Sequence, residues 1–267
     1  MSHLQDSLPP VTRAMILAAG RGERMRPLTD AAPKPLLAVH GRPLIVWHLL
    51  ALARAGVRQV LINTAWLGDQ FEPCLGDGRR FGLQILYSHE GRDYGQALET
   101  AGGLATAWPL LQGGADDEAI WLVSGDIYAP RWQYSAEAAA RFAASPDDAA
   151  LWLVPNPGFH AQGDFDLDGD RVRRHPPGAD GQIARHPYTY ANVALVRRRL
   201  VQGIAPGQRA ALGPCLFDAA ARGALAGHLW NDGADGPWLN VGTPQELERA
   251  NAAPAPGGTD HAGRQLG

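Results

Sequence analysis

Residues Arg13 to Ala18 carry Met15, Ile16 and Leu17 in an unbroken apolar run, and a long glycine- and proline-rich segment follows, from Ala19 to about Arg42. A strand with no polar alternation must be covered on both faces, which places it inside a sheet flanked by helices. The loop that leaves such a strand opens at its carboxyl end, where open α/β sheets bind ligands. This opening unit therefore limits both the architecture and the place where function can sit.

The remaining patterns agree with it. Pro43 opens a helical pattern that runs through Arg54 and ends at Gly56. Gln59–Asn63 and Leu83–Ser88 read as strands, Thr100–Leu111 as a helix weakened at Pro109, and Ala119–Ser124 as a fully buried strand. Ala136–Ala144 is a predicted helix and Ala149–Val154 a strand. Asp168-Gly169 marks a hairpin turn. Tyr188–Val196 reads as a strand, Pro214–Arg222 as a helix, Trp238–Val241 as a short strand and Pro244–Ala252 as a helix capped by Thr243. Strands alternating with helices predict an α/β fold, a mostly parallel mixed sheet with helices on both faces. Residues 13–252 are expected to form one domain, with residues 1–12 and the Pro/Gly-rich residues 253–267 as flexible ends.

Composition removes several function classes. With 45% hydrophobic and 19% charged residues, the 267-residue chain can bury a core. A net charge of −3 argues against a nucleic-acid partner. No basic start leads into an apolar run, so no signal peptide is expected, and the longest apolar stretch, Leu44–Ala53, is too short to span a bilayer. Cys74 and Cys215 lie far apart, as suits reduced thiols in a cytoplasmic protein. The nine histidines show no i, i+4 pair, so a zinc site has no support.

The segment Leu17-Ala18-Ala19-Gly20-Arg21-Gly22-Glu23-Arg24-Met25-Arg26-Pro27-Leu28-Thr29 combines small residues, two glycines and arginines. Glycines let backbone N–H groups wrap a phosphate chain, and arginines present forked donors to phosphate oxygens. It is not a Walker loop, which requires Gly-Lys-Ser/Thr, and Met25 stands where the dinucleotide fingerprint needs a third small residue. In Pro33-Lys34-Pro35-Leu36 two prolines stiffen the backbone around Lys34. The strand Ala119–Ser124 ends in Gly125-Asp126. A carboxylate there is either a turn-capping group or a hard oxygen ligand for Mg²⁺. Glu99-Thr100-Ala101-Gly102-Gly103 follows a polar loop, Glu90 to Gln96. Thr100 could cap the next helix, and the paired glycines would admit close backbone approach to a ligand.

These strings resemble the signature of the sugar nucleotidyltransferases: Leu-Ala-Ala-Gly, Gly-x-Arg-Met/Leu, Pro-Leu-Thr, then Pro-Lys-Pro-Leu. The resemblance implies a Rossmann-like fold of the nucleotide-diphospho-sugar transferase type and extends over most of residues 13–250. It also implies a base contact at Ala19 and Gly20, triphosphate contacts from the glycine turn and Arg24, a phosphate contact from Lys34, and Mg²⁺ on Asp126. Ala65-Trp66-Leu67-Gly68, Leu98 to Gly103, Asn156-Pro157, His160 and Gly163-Asp164-Phe165 resemble, within that family, the N-acetylmuramate-1-phosphate uridylyltransferases of peptidoglycan recycling.

The expected nucleotide-binding residues are thus Leu17, Ala18, Ala19, Gly20, Gly22, Glu23, Arg24, Lys34 and Gly103. The expected substrate-binding residues are Glu99, Thr100, Asn156 and Asn192. Arg24, Lys34 and Asp126 are the catalytic candidates, and Asp126 and Asn240 the metal candidates. The implied substrates are a nucleoside triphosphate, UTP favoured, and a sugar 1-phosphate, with Mg²⁺ as cofactor, no membrane partner, and a monomer or homodimer. Two departures stand out. Trp238-Leu239-Asn240-Val241-Gly242-Thr243 carries Asn240 where the family has a second metal aspartate, and asparagine offers only a neutral carbonyl oxygen. Ala191-Asn192 replaces a Ser-Gly or similar pair, although asparagine tolerates positive φ. They leave open a hexose-1-phosphate thymidylyl- or guanylyltransferase and a non-catalytic nucleotide-sugar binding protein.

Overall fold

A computed structural model describes residues 11–111, 118–174 and 185–254. Most of the two expected flexible ends lies outside the described residues. Val11 and Thr12 already belong to the fold. Val11 is buried, and the Thr12 carbonyl accepts from Arg58 and Gln59 N–H at 2.8 and 3.3 Å.

Among the described residues the main sheet has nine strands. In chain order they are β1 Arg13–Leu17, β2 Gln59–Thr64, β3 Gln84–His89, β4 Ala119–Ser124, β5 Ala149–Pro155, β6 Asp166–Asp168, β7 Arg171–Arg173, β8 Tyr188–Arg197 and β9 Leu225–Leu229. Across the sheet the order is β3-β2-β1-β4-β8-β5-β9-β7-β6. Five longer helices are α1 Leu44–Arg54, α2 Glu99–Ala107, α3 Ala136–Ala144, α4 Leu212–Ala221 and α5 Pro244–Ala252.

The expected α/β sheet with helices on both faces is found, and it is mixed. Strands β3, β2, β1 and β4 run parallel. The ten-residue β8 then enters antiparallel to both β4 and β5. Strand β9 returns parallel to β5, and the β6–β7 hairpin closes the edge antiparallel. Apolar runs report burial, not direction, so β8 read the same either way. The Asp168-Gly169 turn is where the sequence places it, with Gly169 at φ 61°.

Side chains alternate across the strands into two cores. Ala14, Ile16, Val60, Ile62, Trp121 and Val123 pack on one face with Leu49 and Leu52 of α1 and Phe142 of α3. Met15, Leu61, Ile120 and Leu122 pack on the other with Leu104 of α2 and Leu216 of α4. A third, smaller cluster joins Met25, Val39, Leu44, Tyr128, Val241 and Ala250. Through it the long first loop is anchored to α1 and to the segment before α5.

Several local features differ from the sequence reading. Residues Glu90–Tyr94 form a short helix, not a loop. Thr100 does not cap α2; Leu98 occupies the cap without a side-chain bond. The Ala210 carbonyl accepts instead from both Ala101 and Gly102 N–H, at 3.0 Å each. Helix α2 ends at Ala107 and tightens into a turn over Trp108–Leu110, as Pro109 would dictate. Thr243 does cap α5, accepting from Glu246 N–H at 3.3 Å. Strand β9 was not foreseen, because His228 and Gly227 interrupt its apolar pattern. A Cβ on Gly227 would lie 2.6 Å from Val172 and 2.7 Å from Leu167, so the glycine makes room for the edge hairpin.

Gly227→Ala should therefore force the β6–β7 hairpin away from β9 and cost about 1–3 kcal/mol, the usual penalty for overpacking. Urea denaturation of the two proteins measures it, and an unchanged midpoint would show that the hairpin is not seated on β9.

Candidate active site

Between β1 and β4 the chain reverses its direction of growth across the sheet, which leaves a crevice at their carboxyl ends. Leu17 and Ser124 are register partners at those ends. Gly125 N–H donates to the Leu17 carbonyl at 2.9 Å. The two loops that leave the strands are thus tied at their first residues. A Cβ on Gly125 would sit 3.2 Å from both the Leu17 carbonyl oxygen and Pro35 Cβ, which explains the glycine before Asp126.

A cavity of about 280 Å³ opens over this point. One wall is Leu17, Ala18, Ala19, Gly20 and Gly22. The facing wall is Ala97, Glu99 and Thr100, and the floor is Asn63, Ser124 and Asp126, with Lys34 and Pro35 beside them. Lys34 Nζ and the Asp126 carboxylate form an ion pair. Their side chains are 13% and 22% exposed, so the pair is sheltered yet reachable. The prolines around Lys34 hold a tight turn over Lys34–Leu36, with the Pro33 and Lys34 carbonyls accepting from Leu36 and Leu37 N–H.

The glycine turn is braced from within and from outside. Gly22 lies at φ 63°, and a Cβ there would stand 2.9 Å from Thr29 Cγ2, so both conformation and space require glycine. Its carbonyl accepts from Thr29 Oγ1 at 2.8 Å and Met25 N–H at 2.9 Å. Trp66 Nε1 donates to the Thr29 carbonyl at 2.8 Å, and the Arg21 guanidinium stacks 4.3 Å over the Trp66 ring.

The other expected site residues lie elsewhere. Glu23 and Arg24 form an exposed turn outside the cavity lining. The position of a Cβ on Gly242 lies 3.3 Å from Arg24 Nη2, so this guanidinium stands beside the Asn240–Thr243 segment on the rim. Gly103 is buried away from the cavity, against Glu90 and Asn63, and a Cβ on Gly102 would collide with the Gln208 carbonyl. Protein packing requires glycine at both positions, and neither residue lines the cavity. Asn156 spends its amide within the protein, donating to the His186 carbonyl at 2.6 Å and accepting from Thr189 Oγ1 at 3.0 Å. Asn192 adopts φ 58° in the irregular stretch of β8 between Tyr190 and Ala194. Asn240 pairs with Ile127 in a two-stranded ribbon, and Val241 N–H donates to the Asp126 carbonyl at 3.0 Å. Asn240 is therefore a close backbone neighbour of Asp126. Its Oδ1 is buried with no hydrogen-bond partner among the described residues.

Three contributors carried no sequence signal. Asn63 and Glu90 look like the end of a strand and part of a polar loop. His48, on α1, is buried and bonds the residue after Asp126. A carbonyl can only accept, so His48 Nε2–H donates to the Ile127 carbonyl at 2.7 Å, and Nδ1 accepts from Tyr134 O–H at 3.1 Å. Burial pushes its pKa down from 6.5 to about 4.

The nucleotidyl transferase family model matches residues 13–169. The chain belongs to the nucleotidyl transferase family. It is 43% identical to an N-acetylmuramate α-1-phosphate uridylyltransferase from Neisseria meningitidis, over 90% of this chain and 97% of that protein. Identity to the protein of the same name from Caulobacter vibrioides is 32%, over 90% of this chain and 95% of the relative. A Bacillus anthracis structure assigned as a glucose-1-phosphate thymidylyltransferase superposes with a TM-score of 0.73 at 19% identity, over 93% of this chain and 97% of that one. The chain is thus a nucleotidyltransferase. Among the described residues no helix is long and apolar enough to cross a membrane. No group of three or more His, Cys, Asp or Glu side chains is placed to hold a metal among them either.

His48 supplies a pH test of the link between α1 and the Asp126 loop. The unfolded histidine takes its proton near pH 6.5, the folded one only near 4. Its contribution is therefore complete above pH 6.5 and is lost as pH falls toward 4, by about 3 kcal/mol in all. His48→Gln should flatten that part of the stability–pH curve from urea titrations. Parallel curves for the two proteins would refute a neutral buried His48.

Proposed function

We propose that the chain transfers UMP from UTP to N-acetylmuramate 1-phosphate, releasing pyrophosphate and giving the UDP-sugar for cell-wall recycling in the cytoplasm. The observation that carries this reading is the Lys34–Asp126 pair in the cavity above β1 and β4. Similarity over nearly the whole length of the Neisseria uridylyltransferase favours this nucleotide and this sugar over a hexose thymidylyl- or guanylyltransferase.

In this mechanism an oxygen of the sugar phosphate attacks the α-phosphorus in line with the pyrophosphate. The new P–O bond forms as the bond from the α-phosphorus to the bridging oxygen breaks, and the electron pair leaves on pyrophosphate. No side chain need act as nucleophile. The enzyme aligns two anions and offsets their charge. The first loop and the Ala97–Thr100 wall hold the nucleoside, and the braced Gly22 turn offers backbone N–H groups to the phosphates. Lys34 moves its charge from Asp126 to a phosphate oxygen. Arg24, on the rim, takes the departing phosphates.

A divalent ion fits the residues present. Asp126 offers a carboxylate, and Asn240, its close backbone neighbour, carries an Oδ1 with no hydrogen-bond partner among the described residues. These two residues would hold Mg²⁺ together with oxygens of the phosphates and water. When bound, the ion neutralises phosphate charge. The absent second carboxylate also supports a second reading, a nucleotide-sugar binding protein without turnover.

Pyrophosphate release separates these readings, measured with UTP and N-acetylmuramate 1-phosphate against dTTP and glucose 1-phosphate, each with and without Mg²⁺. The first pair should react faster and require the ion. Lys34→Ala should lower kcat/KM about 100-fold, and Arg24→Ala should also lower kcat. Full turnover in both variants would remove the assigned roles. Nucleotide binding without pyrophosphate in the wild type, with activity appearing in Asn240→Asp, would establish the second reading.

A further inference from the structure

Behind the cavity runs a short hydrogen-bonded relay between its two walls. Ala18 N–H, in the first-loop wall, donates to Asn63 Oδ1 at 2.9 Å. Asn63 Nδ2 donates to Glu90 Oε1 at 2.7 Å. Leu98 N–H, just before Glu99 and Thr100 of the facing wall, donates to Glu90 Oε2 at 2.7 Å. Glu90 is fully buried and Asn63 nearly so. The direction of every bond is set. A backbone N–H can only donate, so Asn63 must turn its oxygen to Ala18 and its NH₂ to Glu90. Glu90 then receives a donor on each oxygen, an arrangement that a carboxylate satisfies and an amide cannot.

Neighbouring residues are shaped around this group. A Cβ on Gly103 would stand 2.5 Å from Glu90 Oε1 and 2.8 Å from Asn63 Nδ2. A Cβ on Gly91 would stand 2.7 Å from the Ala65 carbonyl oxygen, which seats the Glu90 helix against the end of β2. Leu98 is further fixed because its carbonyl accepts from Ala210 N–H at 3.0 Å. Beyond the relay the facing wall is strained, with Glu99 at φ 60°. A buried charge opposed only by N–H donors is costly to keep, and burial pushes the Glu90 pKa up while the Leu98 and Asn63 donors pull it back. An apolar residue would fill this place in a purely structural core.

We propose that Glu90 is a positioning residue that holds the first-loop wall and the Leu98–Thr100 wall at the separation a pyrimidine nucleotide requires. Placing the nucleoside in this slot rests on the function proposed above. Glu90 itself touches no substrate; it acts through the backbone of Ala18 and of Leu98.

The test is UTP binding by titration calorimetry, which needs no turnover, for the wild type, Glu90→Gln and Gly103→Ala. Each variant disturbs the relay from a different side. UTP should bind about tenfold more weakly to both, the effect of losing one hydrogen bond to a charged group. The preference for UTP over GTP should shrink, and KM for the sugar phosphate should stay within about twofold of wild type. Unchanged UTP affinity in a variant with a native melting profile overturns the proposal. Equal weakening toward UTP and the sugar phosphate also overturns it, since that is the mark of general loosening. Should Glu90→Gln fail to fold, Asn63→Asp takes its place, because it keeps the acceptor for Ala18 and sets like charge against Glu90. A wild type that binds another nucleotide and not UTP refutes the proposed function alone, and the same comparison is then made with the nucleotide it binds.

Discussion

The hydrogen bond from Gly125 N–H to the Leu17 carbonyl joins the two strands at the place where the sheet changes its direction of growth. Everything chemical in the molecule is hung from that junction. On one side it starts the glycine loop; on the other it delivers Asp126. Because β1 and β4 are parallel neighbours in exact register, Leu17 against Ser124, both loops emerge at one level. Lys34 can then reach Asp126 although 92 residues separate them. An antiparallel pair would have sent the two loops to opposite ends of the sheet. The parallel order of the first four strands is thus the condition for a site at all, while the antiparallel β8 and the strands beyond it complete the sheet.

A loop as long as the first one would be a poor place for precise chemistry unless other parts held it. Here the bracing is distributed. Met25 is buried in the small third core, Thr29 closes the Gly22 turn, and Trp66 reaches across to both Thr29 and Arg21. Thr29 braces the loop from within, while Trp66 and the partners of Met25 brace it from outside, so the loop moves only if several contacts yield together. The same device recurs beneath Asp126, where His48 grips the Ile127 carbonyl and the Leu239–Asn240 strand pairs with Ile127 and Tyr128.

How much of this the sequence discloses depends on the kind of signal. The buried strands, the glycine turn, Lys34 between its prolines and the Gly125-Asp126 strand end are local features with local causes, and they stand where their patterns place them. Direction in the sheet is not local, so the pattern of β8 marks a strand without showing that it runs antiparallel to β4 and β5. Gly102 and Gly103 show a subtler limit. A glycine announces that something comes close, but not what. Here the close neighbours within the protein are the Gln208 carbonyl and the Glu90–Asn63 pair. Asn63, Glu90 and His48 leave no local signal for a related reason: Asn63 and His48 act through backbone groups distant in sequence, and Glu90 through Asn63 and the Leu98 N–H. Arg24 was legible as a motif residue, yet its place on the rim follows from the packing of Met25 and the seat of Gly242, which no spacing rule contains.

Asn240 brings these strands of reasoning together. In the family pattern that position is a second aspartate, which would bring a second carboxylate into the neighbourhood of Asp126. Like charges at such range repel strongly in a sheltered site, and a cation is needed to hold them. With a neutral Asn240 there, the charge of Asp126 is met by Lys34, which pairs with it in the cavity. On the function proposed above, Asp126 would be the charged protein ligand for Mg²⁺, and phosphate oxygens would supply the remaining negative charge. Lys34 would then be left to pair with the phosphates, so that the substitution ties charge neutralisation more closely to the arrival of substrate.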